Sequence, residues 1–477
     1  MSKKRLWLLL LLAAAFFITI SYRQGLSVRA AELQSLPEWI MWNEKTVTVT
    51  DQIKLSLSEK SATIYNSSGK EIWKSGKEIF VQDAFITDLD RDNDEELILL
   101  LWKIGRYGKA MPFWVTDDED SFSQHIFIYD IEEENVRQKW CASDIGMFVR
   151  RMKLMEKNNA IILTEDLDDN CSLWTWKGFG LKNIDNGVKF IAFGDNIIHK
   201  TIYEHAFNYE AGSFDFLYKP FLKEINSADI ASIQAETILV DKKAAVSGYP
   251  FFGSPLEVGE AIKKAGFDIA VCGNNHALDK GIYGIDVTTD FYNDNDIAVL
   301  GIQNSKDIEY RPYEVFSKNG IKLALFSYTY GTGEMDASER YPYTVHYFPK
   351  TEEEKKRLME DIKKARNEAD FVVVYAHWGD EYKTEISDYQ KEMTELLANA
   401  GADVVIGTHP HVLQKYELLK RPDGGDMLVY YSLGNFRADQ KMSDETKVGG
   451  EALFTIKYTY DGIKITDYSL KKIDATY

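Results

Sequence analysis

The 477-residue chain has little cysteine and little positive charge. Three cysteines, Cys141, Cys171 and Cys272, exclude a disulfide scaffold and leave an odd thiol. Either Cys141 pairs with Cys171 or all three stay unpaired. Lys and Arg number 56 against 75 Asp and Glu, a formal net charge of -19. That balance excludes a nucleic-acid partner, because a phosphate backbone needs Lys and Arg to neutralise it. Broad contact with anionic lipid or a polyanionic polymer is disfavoured on the same ground. An anionic substrate would need a local positive centre, such as a metal. No low-complexity tract or long linker interrupts the chain. No cysteine closes the N-terminal apolar run, so no lipoprotein anchor is expected.

That run is the first positive feature. Lys3-Lys4-Arg5 precedes 15 uncharged residues, 6–20. A spanning helix needs about 20 apolar residues, and a signal-peptide core is shorter. Residues 1–30 read as a signal-anchor, a membrane segment, with a cleaved signal peptide as the alternative. With positive charge inside, the rest lies outside the cell. The expectation is a single-pass cell-membrane protein with an extracytoplasmic main domain, or a secreted one.

Two patterns divide the remainder. Residues 31–186 hold short alternating runs such as KTVTVT, KLSLS and HIFIYDI, and predict a small mainly-β domain of uncertain topology. From 187 to 477, strands alternate with helices. VKFIAFG, FDIAVCG, FVVVYAH and ADVVIG read as buried strands. PLEVGEAIKKAG, EEEKKRLMEDIKKARNEA and ISDYQKEMTELLANAG read as helices. This predicts an α/β sheet covered by helices. Two last strand-like runs meet at Asp461-Gly462, a hairpin signal.

In such sheets function gathers where strands end. Five strand-like segments deliver polar groups there: Asp195; Glu236; Asn274-Asn275-His276; His377 with Asp380 and Glu381; and His409-Pro410-His411. The chain has only eight histidines, and four of them are in this set. One such histidine reads as a cap or a structural residue. Four, with Asp195, Glu236 and Asn275, read as a metal centre for Mn²⁺, Fe or Zn²⁺. Alternate residues of an extended segment point to one side, and Pro410 disfavours the helical region for His409. An extended His-Pro-His is therefore expected to aim two imidazoles at one metal, or at two about 3.5–4 Å apart.

The stretches GD at 194–195, NNHALDKGIYG at 274–284, HWGDEY at 377–382, GTHPHVLQ at 407–414 and YSLGNF at 431–436 resemble, in order, the CapA/PgsA capsule-synthesis (poly-γ-glutamate) family. The resemblance covers about residues 187–440. It implies a fold similar to the calcineurin-like metallophosphoesterases, here a metallophosphatase-like α/β sandwich. It also implies Asp195, Asn275, His377, His409 and His411 as metal ligands and Glu236 as a bridging carboxylate, with His276 as the catalytic imidazole. Gln234-Ala235-Glu236 stands where the family has Asn-Leu-Glu, a departure in the second metal subsite. Asp279 either orients His276 or caps a turn. His199 either reaches back to the centre or faces a helix. Asn435 and Arg437 are candidate contacts for a bound anion, with a surface arginine as the plain reading of Arg437.

A second, weaker site lies at Asp88, Asp90, Asp92 and Glu96, in a loop between strands. Carboxylates at this spacing suit Ca²⁺, as in the calcium loops of β-propeller repeats; the alternative is a solvated acidic turn. TEDLDDNCSLW at 164–174 reads as a degenerate echo. The functional expectation is a metal-dependent hydrolase with a phosphoester-type site, linked to capsule synthesis and its partners. The alternative is a non-catalytic assembly, binding or export factor for an anionic capsular polymer. A purely structural site is a third reading, and the intact histidines argue against it.

Overall fold

Alternation in the first half of the chain becomes stacked β-meanders. The computed structural model describes residues 35–50, 53–107, 113–132, 135–142, 145–155, 158–333 and 335–477. The expected membrane segment at 1–30 lies outside the described residues. Among those residues, no helix is long and apolar enough to cross a membrane. The chain divides into two units between Ile184 and Asp185.

The first unit has three four-stranded antiparallel sheets. The first comprises β1 (Lys45–Thr50), β2 (Ile53–Ser58), β3 (Ser61–Asn66) and β4 (Glu71–Lys74). The second comprises β5 (Phe80–Thr87), β6 (Glu95–Ile104), β7 (Phe122–Glu132) and β8 (Asn135–Cys141). The third comprises β9 (Val149–Met155), β10 (Asn158–Asp166), β11 (Cys171–Trp176) and β12 (Leu181–Ile184). Strand β6 explains the stacking. Its Leu97, Leu99 and Leu101 pack with Leu55, Leu57 and Ile64 of the first sheet. Its Ile98 and Leu100 pack with Val149, Met152 and Ile162 of the third. A strand buried on both faces needs an unbroken apolar run, which EELILLLWKI supplies. Cys141 carries a free thiol, so it is not bonded to Cys171.

The acidic loop between β5 and β6 carries the residues of the calcium expectation. Asp88, Asp90 and Glu96 do converge, with ligand atoms within 4.8 Å of one another. Lys139 of β8 reaches into them, its Nζ 2.7 Å from Asp90, 2.8 Å from Glu96 and 2.9 Å from Asp130. Asp92 stands 4.0 Å from the same ammonium. Asp88 turns back on the loop and accepts the amides of Asp92 and Asn93. The chain thus sets an ammonium of its own among the carboxylates expected to take Ca²⁺. The echo after β10 is a self-closed turn, Asp166 accepting the amides of Asp168 and Asn170. Lys139→Met is expected to cost this unit about 3–5 kcal/mol, because the buried Glu96 loses its counter-charge. Thermal unfolding checks this. Added Ca²⁺ should restore the variant and leave the parent unmoved; a parent stabilised by Ca²⁺ would count against the ammonium.

The second unit continues in chain order with β13 (Gly187–Asn196), β14 (Ile230–Ala235), β15 (Leu239–Val240), β16 (Ser254–Pro255), β17 (Ile269–Val271) and β18 (Ala298–Leu300). Next come β19 (Tyr313–Lys318), β20 (Ile321–Thr329), β21 (Phe371–His377), β22 (Val404–Thr408), β23 (Tyr416–Lys420) and β24 (Asp426–Tyr430). The last are β25 (Asn435–Arg437), β26 (Val448–Thr459) and β27 (Gly462–Asp474). The main helices are α1 (Lys200–Tyr209), α2 (Leu256–Ala265), α3 (Gly281–Asp294), α4 (Glu352–Glu368) and α5 (Asp388–Ala400).

One sheet runs β18-β17-β14-β13-β26-β27, with β25 beside the end of β13; the other runs β19-β20-β21-β22-β24-β23. Strands β18, β17, β14 and β13 of the first run parallel, as do β20, β21, β22 and β24 of the second, while β26 pairs antiparallel with β13. Ile202, Ile262 and Ile285 from α1–α3 pack on Ile191 and Ile233 of the first sheet. Leu358, Ile362 and Leu397 from α4 and α5 pack on Val374 and Val405 of the second. Tyr430 of the second sheet donates to the Leu453 and Ser469 carbonyls of the first. The layers are helix, sheet, sheet, helix. Helices α4 and α5 each begin with a capping box, Thr351 with Glu354 and Ser387 with Gln390.

The segment 431–437 crosses the seam between the sheets. Gly434 O accepts from Asp195 N–H, and Leu433 N–H donates to Gly407 O. This close crossing requires the strand-end glycines. A Cβ on Gly194 would stand 2.0 Å from Gly434 O, and one on Gly407 2.0 Å from Tyr431 O.

Candidate metal centre

The strand ends on either side of that seam bring the candidate ligands together. Asp195 closes β13, Glu236 follows β14, and Asn275 and His276 follow β17. His377 ends β21, and His409 and His411 follow β22. Asp195 and Glu236 are 0% exposed, and His377, His409 and His411 at most 3%. Asp195 and His411 are 216 residues apart in sequence, yet His411 Nδ1 lies 3.1 Å from Asp195 Oδ2.

Glu236 sits between the imidazoles. Its Oε1 is 3.6 Å from His377 Nε2, and its Oε2 is 3.8 Å from His411 Nδ1. His377 Nε2 also meets Asn275 Oδ1 at 2.8 Å, while its Nδ1 is held by Thr408 Oγ1 at 3.0 Å. The ligand atoms of Glu236, His409 and His411 lie within 4.8 Å of one another.

The charges do not balance. Both Glu236 oxygens, Asp195 Oδ1 and His409 Nδ1 are buried without a hydrogen-bond partner. Burial first, then Asp195, Glu381 and Asp279, raise the Glu236 pKa well above the carboxylate range. Burial and the neighbouring imidazoles push His377 well down and His409 down to about 3, so both rings stay neutral. Two buried carboxylates faced by neutral imidazoles lack a cation. The donor set, nitrogen and carboxylate oxygen, fits a divalent transition metal. Asp195, Glu236, Asn275, His377, His409 and His411 are the residues able to hold one such ion or two.

The backbone of the His-Pro-His stretch differs from the extended form expected. His409 has φ +99° and His411 φ +58°. Such conformations cost a non-glycine residue about 1–3 kcal/mol each. Asp195 offsets part of that by accepting the His409 amide at 3.2 Å. The imidazoles converge through a double left-handed turn.

His276 differs from the ligands: its side chain is 16% exposed. Asp279 Oδ2 holds its Nδ1 at 2.7 Å and also accepts the Phe252 amide at 2.6 Å. Asp279 is therefore an orienting residue. His199 begins α1, and its Nδ1 accepts the Asp439 amide.

Two expected anion contacts are corrected. Arg437 is 4% exposed, donates to the carbonyls of Leu217, Asp474 and Thr476, and stacks on Phe221 at 4.5 Å. It ties the C-terminal strand to the helical side. Asn435 spends its amide hydrogens on Gln440 Oε1 and Thr446 O. Both belong to the seam crossing.

Sequence reasoning passed over Tyr330, Tyr382, Phe252 and Thr408. The Tyr330 ring lies tilted 4.6 Å from His409, the Tyr382 ring tilted 5.9 Å from His411, and Phe252 meets His276 edge-on at 4.7 Å. Tyr330 directly follows β20, so its place at a strand end was a usable signal. Phe252 lies in a loop remote in sequence and gave none.

Comparison with known proteins agrees on the region. The family model described as "Bacterial capsule synthesis protein PGA_cap" matches residues 189–440. The chain is similar to the capsule biosynthesis protein CapA of Bacillus anthracis, 33% identical over 191 residues, 39% of this chain and 43% of that one. It is also similar to the PGA biosynthesis protein CapA of Bacillus subtilis, 30% identical over 182 residues, 38% of this chain and 45% of that one. The matches thus span under half the length of these curated relatives. Among solved structures it is similar to the calcineurin-like phosphoesterase YfkN of Bacillus subtilis. That match has 14% identity and a TM-score of 0.33, over 61% of this chain and 91% of that one.

Proposed function

The chain belongs to the bacterial capsule synthesis protein PGA_cap family, and from that premise we propose that its second unit is a metal-dependent phosphoester hydrolase serving capsule synthesis. The observation that carries this is the pair of buried carboxylates, Asp195 and Glu236, without a counter-charge and faced by three imidazoles. The N-terminal basic cluster and apolar run support placing this unit outside the cell, membrane-anchored or secreted.

Asp195, Glu236, Asn275, His377, His409 and His411 would hold a divalent ion, which would supply Lewis acidity towards a phosphoryl oxygen and water. The chain's own residues do the rest. Glu236 turns an oxygen to each side of the site and keeps the two ligand clusters in register. Asp279 fixes the His276 ring by its Nδ1, which leaves Nε2 as the atom that exchanges a proton. At the open side of the site, His276 donates that proton to the leaving-group oxygen. Tyr330 and Tyr382 cover His409 and His411 and limit water around the ligands.

Bis-p-nitrophenyl phosphate turnover tests the reading. Turnover should require Mn²⁺, Fe²⁺ or Zn²⁺, and His276→Ala should lower kcat by about 10²–10⁴-fold while metal content is kept. No metal-dependent turnover of phosphoesters, or an unaffected His276 variant, would sink it. A polymer-handling role without hydrolysis would then take its place.

A further inference from the structure

Aromatic rings that neither fill the core nor offer a metal ligand surround the mouth of the centre. Tyr249 is 79% exposed, Phe251 52%, Tyr382 37% and Tyr330 36%. Three of them are tied to the site by ring contacts, and Phe251 shares the loop of Tyr249. Tyr330 and Tyr382 lie against His409 and His411. Tyr249 stands 6.3 Å from Phe252, which meets His276 edge-on.

The loop carrying Tyr249 and Phe251 is built to hold them out. Ser247 and Gly253 exchange both backbone hydrogen bonds, at 3.0 and 2.9 Å. Ser247 Oγ donates to Phe251 O and accepts from Lys280 Nζ at 2.7 Å. Asp279 holds the loop by the Phe252 amide and His276 by its ring. One carboxylate thus fixes both the exposed aromatic loop and the imidazole that opens to solvent. Exposed aromatic side chains cost apolar hydration, and a rigid loop that presents them is preorganised for a ligand.

The chemistry of the mouth selects among ligands. Glu381 is exposed beside Tyr382, and it acts electrostatically on Tyr330, Tyr382 and Glu236. A carboxylate at the rim repels a polyanion and accepts from hydroxyl groups. The ring contact recorded for Tyr249 is edge-on to Phe252, with an interplanar angle of 65°. That leaves an open platform rather than a slot between two parallel rings, which a nucleobase would fill. A pyranose ring matches it: one face carries C–H groups that stack on an aromatic ring, and its hydroxyls stay hydrated or donate to carboxylates.

We infer that Tyr249 and Phe251 form a saccharide platform beside the metal centre, so that the phosphoesters acted on there are those of sugars or glycan chains. The substrate class rests on the hydrolase reading above; the platform itself does not. Its ligand contributes stacking at Tyr249 and Phe251 and hydrogen bonds at Glu381, while the ester reaches the buried ligands.

Saturation-transfer NMR on the full-length protein tests it without turnover, with cellotetraose, chitotetraose, poly-γ-glutamate and AMP as probes. Ring C–H protons of at least one oligosaccharide should receive saturation. Tyr249→Ala with Phe251→Ala should weaken that binding about tenfold, and Tyr249→Phe should retain it. Thermal unfolding verifies that each variant is folded. The platform is overturned if neither oligosaccharide gives transfer, if the double variant binds as the parent does, or if AMP or polyglutamate takes the signal instead. Sugar binding without phosphoester turnover would sink the hydrolase and leave the platform. Turnover without sugar binding would do the reverse.

Discussion

Replacing His409 and His411 together by alanine should empty the centre. The parent, purified without chelator, is expected to carry about one or two equivalents of transition metal by elemental analysis. The double variant should bind more than about 100-fold more weakly, since even residues that merely support a ligand cost 10–100-fold. The same loss should appear in stability. A ligand present at about 1,000 times its Kd stabilises the folded state by about 4 kcal/mol, or about 8–16 °C in a domain of this size. Chelator should therefore lower the parent's unfolding temperature and leave the variant unmoved. A parent indifferent to chelator, or a variant that keeps its metal, would return His409 and His411 to a structural role. The readout is direct because both side chains are buried, His411 beside Asp195 and Glu236 and His409 with its Nδ1 free of any hydrogen-bond partner.

Glu236→Gln should have opposite effects with and without metal. In the metal-free protein, burial and Asp195 raise the Glu236 pKa far above 4.5. The folded state then holds the proton more tightly than the unfolded one. Its stability contribution is full below pH 4.5 and is lost as pH rises through the folded pKa. Gln removes that loss, so the metal-free variant should be more stable than the parent at pH 8, by about 1–3 kcal/mol, and no more stable near pH 4. With metal present the order should invert, because the neutral amide gives up the charge between His377 and His411. The imidazoles set the acid side. His409, depressed to about 3, should cost the metal-free protein stability as pH falls from 6.5 towards 3, where the unfolded chain takes up the proton first. Thermal unfolding across pH, with and without chelator, reads all of this. A Glu236→Gln variant destabilised under every condition would mean that the carboxylate is held by a partner other than a metal.

The candidate site was legible because strand ends concentrate function and because histidine is rare in this chain. Strands β13, β14, β17, β21 and β22 each delivered a polar residue to one edge, and apolar runs ending in Asp, Glu, Asn or His marked them. The β6 run EELILLLWKI carried a further message, burial on both faces, which foretells stacked sheets. Three features were not legible. The left-handed turns at His409 and His411 follow from tertiary contact with Asp195, which no local propensity encodes. YSLGNF with the following Arg437 looked like a ligand loop because its Asn435 and that arginine are polar. Its role is the crossing over Gly194 and Gly407, visible only once the sheets are apposed. Lys139 lies 43 residues from Glu96, so nothing in the spacing of the acidic loop announced the ammonium that fills it.

The ligands divide evenly across the seam. Asp195, Glu236 and Asn275 come from one sheet, and His377, His409 and His411 from the other. Whatever binds there acts as a clasp on the edge where the layers meet. A chain without the ion carries two adjacent buried carboxyl groups and two strained turns at that edge. It should breathe there before it breathes in the helix-covered cores. Metal binding would then govern closure of that edge: the amides around 194–196 and 407–411 are expected to become protected from exchange with solvent only when the clasp is shut.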